Sequence, residues 1–407
     1  MLLTNEIKAQ WFSVNQDTTF SNTDMFFLNA DTGFVVGANY ASSQFNYGVI
    51  SRTLNGGISW DTVTFYQYFP TIYFPSTTVG YCGGQDGQVF KTTDMGNTWN
   101  HLSSSFCCND FSNSYFFNND TGFVVLWPGN LVKTFNGGLT WNLDTSIGGY
   151  SSYPGIGSIQ FMNDSIGIIA AGENGTYART FDKGNTWQTG HIDSSMVLIS
   201  IYMRNLNSGY AVGYDGKFSR TFDGGQTWTS PVIISQYHLN DVTFFNDSVG
   251  YIVGGEGSFP FNTTYRGIIY KTIDAGNSWF VEDSSYDEWL TSVVAVNDSV
   301  GYAAGWKGRI LKITNGNSAG IQENISTAIS VSVFPNPTDG VINFKLSNHP
   351  YKTTTLNIYD LLGTLIKSQI ITKTTSLDIS MYSNGVYIYE INEQEKASVR
   401  GKILKEH

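Results

Sequence analysis

Six times between residues 53 and 279 the chain repeats one eight-residue phrase. The first copies read Thr53-Leu54-Asn55-Gly56-Gly57-Ile58-Ser59-Trp60 and Thr92-Thr93-Asp94-Met95-Gly96-Asn97-Thr98-Trp99; the others begin at Thr134, Thr180, Thr221 and Thr272. Repeats at a spacing of about 40 to 50 residues build a fold from copies of one supersecondary unit, so the chemistry of one copy decides the architecture. The phrase is a hairpin turn. Its Asp or Asn accepts hydrogen bonds from nearby backbone amides, its Gly supplies positive φ, and its Trp opens the next strand. Asn55, Asp94, Asn136, Asp182, Asp223 and Asp274 hold the acceptor position. All six are expected to secure turns rather than to touch a ligand. The two Asn copies keep the acceptor oxygen and lose only the charge.

Upstream of each turn an aromatic strand leads through a polar corner into a Gly-led apolar strand. Counting lead glycines gives seven units, at Gly33, Gly80, Gly122, Gly167, Gly209, Gly250 and Gly301. Each unit reads as four short strands, but the seventh has only three, within residues 290–314. Residues 9–15, Ala-Gln-Trp-Phe-Ser-Val-Asn, resemble the Trp-led strands and can supply the fourth. This predicts an all-β chain whose first domain is a seven-bladed β-propeller over residues 10–314, with the N-terminal strand completing the last blade and covering its edge. No segment before Asn315 carries a 3.6-residue apolar stripe.

The repeated phrase resembles the Asp-box (BNR-like) turn of bacterial sialidases, xyloglucanases, sortilin-type receptors and propellers of the photosystem II assembly factor type. In those families the box is structural. Residues 10–315 are most similar to the last type, a single ring with a Gly-Tyr-x-x-Gly strand and a box in each blade. The photosynthetic role does not transfer to an acidic chain without a visible basic patch. A sialidase would need a Phe/Tyr-Arg-Ile-Pro phrase and three converging arginines. No such phrase exists, and Arg52, Arg179 and Arg220 share one repeat position with Lys91, Lys133 and Lys271. That position implies a solvated or intra-blade role.

Past Thr314 the boxes stop. Residues 315–329 read as a polar linker. From Ser330 onward the order Val331-Ser332-Val333-Phe334-Pro335-Asn336-Pro337, Leu356-Asn357-Ile358-Tyr359-Asp360, Leu377-Asp378-Ile379-Ser380, Asn384-Gly385-Val386-Tyr387 and Lys402-Ile403-Leu404 resembles the type A C-terminal sorting domain of the type IX secretion system. Alternating apolar residues over 341–346 and 386–391 predict a small antiparallel β-sandwich for residues 330–407. The resemblance implies delivery through the periplasm to the cell surface or medium of a Bacteroidetes-like bacterium, with the type IX machinery as partner and the sorting domain cut off afterwards. Ile7-Lys8-Ala9 before Gln10 is similar to the end of a signal peptide, so residues 1–9 are expected to be its remnant.

An acidic chain of net charge −11 with 15% aromatic residues suits a secreted β-rich protein and argues against nucleic acid as partner. No stretch is long and apolar enough to integrate into a membrane. In an oxidising export route Cys82 is a candidate to bridge Cys107 or Cys108, with one thiol left over. His101, His191 and His238 sit in separate units without metal-ligand spacing, and no cofactor motif is present.

Boxes join third to fourth strands and define one face; the connections between blades and between second and third strands define the other. That second face carries the irregular aromatic insertions, with Tyr68, Trp127, Tyr153, Tyr214, Phe261, Trp289 and Trp306 as candidate ligand contacts. Glu173, Asp215, Glu256 and Asp287 lie in its loops, and nothing in the sequence pairs them for hydrolysis. The reading is an exported, non-enzymatic binding module for an extracellular glycan or protein ligand. A polysaccharide hydrolase or lyase is the first alternative, and a structural adhesin or matrix component the second.

Overall fold

The computed structural model describes residues 11–15, 20–39, 47–102, 110–126, 130–144, 147, 157–256, 266–316, 330–347, 354–360, 363–371, 374–393 and 399–406. The chain divides into two compact units, 1–320 and 321–407.

The first unit is a seven-bladed propeller. Blades 1 to 6 occupy residues 21–65, 71–102, 111–144, 159–191, 198–233 and 238–286, each a four-stranded antiparallel sheet with its strands in chain order. Blade 7 takes its three inner strands, Leu290–Ala295, Gly301–Gly305 and Ile310–Ile313, from the end of the unit, and its outer strand, Phe12–Asn15, from the beginning. The N-terminal strand pairs antiparallel with Ile310–Ile313. Trp11 takes the place of a box Trp, is 4% exposed, and meets Tyr251 of blade 6 edge-on at 5.4 Å.

Each box is one hydrogen-bond network. In blade 5 the Thr221 hydroxyl donates to Asp223 Oδ1 (2.9 Å) and accepts from the amide of Gly225 (2.8 Å), while the carboxylate accepts the amide and hydroxyl of Thr227 (2.9 and 2.6 Å). In the Asn boxes Nδ2 of Asn55 and Asn136 donates to the hydroxyls of Ser59 and Thr140, both at 2.9 Å. The amide therefore reverses one bond and retains the loop. The outer strand begins one residue after the Trp in five of the six box blades; in blade 5 it is delayed to Val232–Ile233, because Pro231 offers no N–H to the ladder.

Two consecutive left-handed residues make the box, and the second is always Gly: Gly57, Gly96, Gly138, Gly184, Gly225 or Gly276. Packing across the blade boundary imposes this as firmly as φ does. A Cβ on Gly96 would stand 2.6 Å from Phe34 of the preceding blade, and one on Gly184 2.4 Å from Phe123. The apolar cores accordingly lie between blades, one of them joining Tyr81 and Val89 of blade 2 to Phe111, Val124 and Trp141 of blade 3.

The basic residue before the box Thr acts within its blade, where Arg52 pairs with Asp61 (3.4 Å), Lys133 with Asp144 (2.7 Å) and Lys271 with Glu282 (3.8 Å), and also between blades, a role the sequence reading missed. Arg52 donates to Met95 O (2.9 Å), Lys91 to Gly137 O (3.1 Å), Lys133 to Gly184 O and Lys312 to Gly56 O (3.0 Å), in each case the box of the next blade. Arg220 reaches Asn277 of the next box at 2.8 Å. Ring packing explains why sequence pattern could not show this, since the neighbouring box exists only once the blades are side by side. Cys82 is a free thiol, fully buried in the core between blades 1 and 2; its candidate partners Cys107 and Cys108 lie outside the described residues, as does the proposed signal-peptide remnant.

The second unit is an antiparallel sandwich. A three-stranded sheet, Ser330–Phe334, Val341–Ser347 and Thr374–Asp378, faces a four-stranded one, Leu365–Ile371, Thr354–Tyr359, Gly385–Glu393 and Val399–Lys405. Ile342, Phe344 and Leu346 from one sheet and Leu356, Ile358 and Ile391 from the other fill the core.

Deleting residues 1–16 is expected to expose the edge of Ile310–Ile313 and produce aggregation or a melting temperature well below the parent, read by differential scanning calorimetry and light scattering. Thr221→Val keeps the shape but leaves the buried Gly225 amide unpaired, so urea titration is expected to show a loss of about 1–3 kcal/mol.

Candidate functional site

Sheet edges expose amides and carbonyls, and seven inner strands point such edges at the propeller axis. Side chains of the preceding blade satisfy them. Asp24 Oδ2 accepts the Ile72 amide (3.0 Å), Ser158 Oγ the Ile201 amide (2.9 Å) and Asp241 Oδ2 the Val293 amide (2.9 Å). Carbonyls are met one residue earlier, with Thr23 donating to Phe69 O (2.7 Å), Asn240 to Leu290 O (2.6 Å) and Thr291 to Asn22 O (3.0 Å). The backbone places these residues by a shift of register on the inner strand before Asp24, Asn113, Ser200, Asp241 and Ser292. Such a bulge turns two successive side chains toward one side.

This polar ring is the wall of a cavity of about 550 Å³ on the irregular face. Tyr68, Trp289 and Trp306 line it together with Asp24, Asp110 and Asp241. Trp289 and Trp306 touch, with centroids 5.6 Å apart and planes tilted by 37°, and the Trp306 amide donates to Trp289 O at 2.9 Å. Beside them Glu288 forms a two-pronged ion pair with Arg309 at 2.9–3.1 Å. The Trp306 position comes from a recurrent tight turn joining second and third strands, in which Asp86, Asn174, Asp215 and Lys307 take positive φ before a Gly. These are left-handed hairpin turns of the Asp-Gly or Asn-Gly kind.

Of the sequence candidates, Tyr68, Trp289 and Trp306 thus come together at the axis. Tyr214 does not line the cavity; it stacks on His238 at 4.3 Å over the blade 5 turn. Trp127, Tyr153 and Phe261 lie outside the described residues. Glu173, Asp215, Glu256 and Asp287 are spread round the face, and none lines the cavity. Asp24, Asp110 and Asp241, absent from that set, are the carboxylates that do; the signal of Asp24 and Asp241 was a carboxylate inside an aromatic inner strand, where alternation expects an apolar or neutral residue.

Burial pushes Asp24 up to about 7, opposed by the Ile72 and Met25 amides and aided by the charge of Asp241; burial likewise raises Asp241 to about 6. Both keep some surface on the cavity wall. The box carboxylates behave oppositely: the amide and hydroxyl of Thr98 hold Asp94 at about 2, and the hydroxyl and amide of Thr186 hold Asp182 there. Among the described residues no group of three or more His, Cys, Asp or Glu is placed to hold a metal ion, and no helix is long and apolar enough to cross a membrane.

Comparison with known proteins separates the two units. The family described as the secretion system C-terminal sorting domain matches residues 332–406. The second unit is a type IX secretion sorting domain. The sorting domain marks the protein for export to the cell surface or the medium. The propeller is similar in fold to YCF48 bound to D1 peptide (TM-score 0.61, 16% identity, 76% of this chain and 96% of that one). It is also similar to the GH74 xyloglucanase from Xanthomonas campestris (TM-score 0.59, 12% identity, 83% and 59%). PorZ, a surface component of the type IX system of Porphyromonas gingivalis, aligns over 95% of this chain and 59% of its own (TM-score 0.53, 12% identity). No curated protein matches the chain in sequence.

A raised folded-state pKa means that the folded chain holds a proton the unfolded chain releases. The stability from Asp24 and Asp241 is therefore full below about pH 4 and lost as pH rises through about 6 to 7. Urea midpoints measured across this window are expected to fall with pH, and Asp24→Asn is expected to flatten the fall.

Proposed function

We propose that the protein is an exported binding module that receives an extracellular glycan or protein segment at the axial cavity and does no chemistry on it. One observation carries the reading: a contacting pair of Trp side chains, Trp289 and Trp306, stands over a cavity walled by hydroxyls, amides and carboxylates. Aromatic faces supply area at low entropic cost, while fixed polar groups beneath them set orientation. A YCF48 propeller has been solved with a peptide bound, which supports ligand capture by a ring of this kind.

Hydrolysis would need two carboxylates free to act across a scissile bond. Both oxygens of Asp24 and both of Asp241 already accept backbone amides, and Asp110 accepts the Asp86 amide at 2.9 Å. These bonds favour structural and recognition roles over proton transfer. The likeness to a xyloglucanase is one of fold at 12% identity. After transport the sorting domain is removed in this reading, and the propeller is the working product.

Full-length protein probed on glycan and peptide arrays is expected to select one ligand class. Trp289→Ala and Trp306→Ala should each weaken that ligand at least about tenfold, near 1.4 kcal/mol, at an unchanged melting temperature. Products released from an arrayed glycan, or affinity indifferent to both Trp residues, would overturn the proposal.

A further inference from the structure

Elsewhere in the propeller, described buried carboxylates meet cations. Asp144 is paired with Lys133 at 2.7 Å, and Glu288 with Arg309 at 2.9 Å. The axial cavity is different: Asp24, Asp110 and Asp241 line it, and no Lys, Arg or His stands among the described residues of its wall. The charge of Asp241 adds to the cost of ionising Asp24. Uncharged amides and hydroxyls are their only described partners. A cavity of this sign, about 550 Å³ in volume, repels uronic and sialic acids and attracts a cation.

Depth selects the kind of cation. Ser292, whose hydroxyl donates to Asp241, lies three residues beyond Trp289 along the entry to the same inner strand. Because a register shift between Leu290 and Ser292 takes up one of those residues, Asp241 of the carboxylate pair is met roughly 7 Å along the strand from Trp289 at about 3.3 Å per residue. An amine fixed directly to a sugar ring would reach them only if the ring itself passed the Trp pair. An amine or guanidinium on a long alkyl stem reaches them while its stem packs on the indoles.

We infer that the axial cavity binds a lysine or arginine side chain presented by an extracellular protein segment, its stem packed against the Trp289–Trp306 pair and its charge over Asp24 and Asp241. The assignment rests on the binding-module reading and names its ligand. The other titratable groups that feel these carboxylates are Cys82 beside Asp24 and Tyr202 beside Asp241. Burial raises both, so they stay uncharged at neutral pH.

The test is calorimetric titration of the full-length protein with capped pentapeptides, Gly-Gly-X-Gly-Gly, where X is lysine, arginine, norleucine or glutamate, and with a glucosamine oligomer. At about pH 8 the lysine and arginine peptides are expected to bind at least about tenfold tighter than norleucine, with glutamate weakest. The lysine preference should shrink toward pH 5, where the carboxylates take up protons, and in Asp241→Asn. Equal affinity for lysine and norleucine at millimolar peptide, or a preference that grows toward pH 5, overturns the inference. The peptide comparison on the parent protein decides even if Asp241→Asn does not fold. Binding of the glucosamine oligomer without the peptides also overturns it, and leaves the binding-module reading in place. A lysine preference accompanied by glycan hydrolysis would uphold the cation site and sink the non-enzymatic reading.

Discussion

The ring depends on one contact repeated between blades: the side chain after a lead glycine lies against a box glycine of the next blade. Phe34 meets Gly96, Phe123 meets Gly184 and Tyr210 meets Gly276; in blade 4 Ile168 plays the part against Gly225. Where that side chain is Tyr, its hydroxyl continues the contact as a hydrogen bond, from Tyr81 to Asn119 O, Tyr251 to Gly316 O and Tyr302 to Ala30 O. The basic residue before the box adds a charged donor to the same boundary. Blades of four strands cannot bury both faces alone, so stability is a property of these interfaces. Shape complementarity at a Cα without a side chain is what permits them.

Closure is the same contact made between the ends of the unit. Lys312 of blade 7 donates to Gly56 O of blade 1, and Phe27 stacks on Tyr302 at 3.8 Å. Because the N-terminal strand sits in blade 7, blades 1 and 7 are also joined through one sheet. At the axis the geometry works against pairing, since the inner edges converge without meeting in register. Side chains must satisfy those edges. The polar wall that closes the ring is thereby the wall of the cavity.

Opposite environments give the carboxylates opposite behaviour. In the boxes Asp lies at the surface and collects amides and hydroxyls, which favour the charge; at the axis Asp24 and Asp241 collect amides in an enclosed space, and burial prevails. The sorting domain marks this propeller for export, and aromatic and acidic groups share the wall of its cavity.

Much of this was legible in the chain. Local chemistry repeats, so Thr-x-Asp/Asn-x-Gly-x-Ser/Thr-Trp announced the turns, the lead glycines counted the blades, and Trp11 announced the strand that closes them, because hydrogen bonds within eight residues need no distant partner. The sandwich was legible from alternation, as at Ile342, Phe344 and Leu346. Tertiary structure alone decided what depends on neighbours. Lys91 and its equivalents show one repeat position in sequence, yet their acceptors lie 40 or more residues away in the next blade. Asp24 and Asp241 stand 217 residues apart in the chain and face one cavity only because seven twisted sheets share an axis, whereas Tyr214 was turned aside onto His238. Periodicity specifies a unit; the convergence of units on an axis determines which side chains meet.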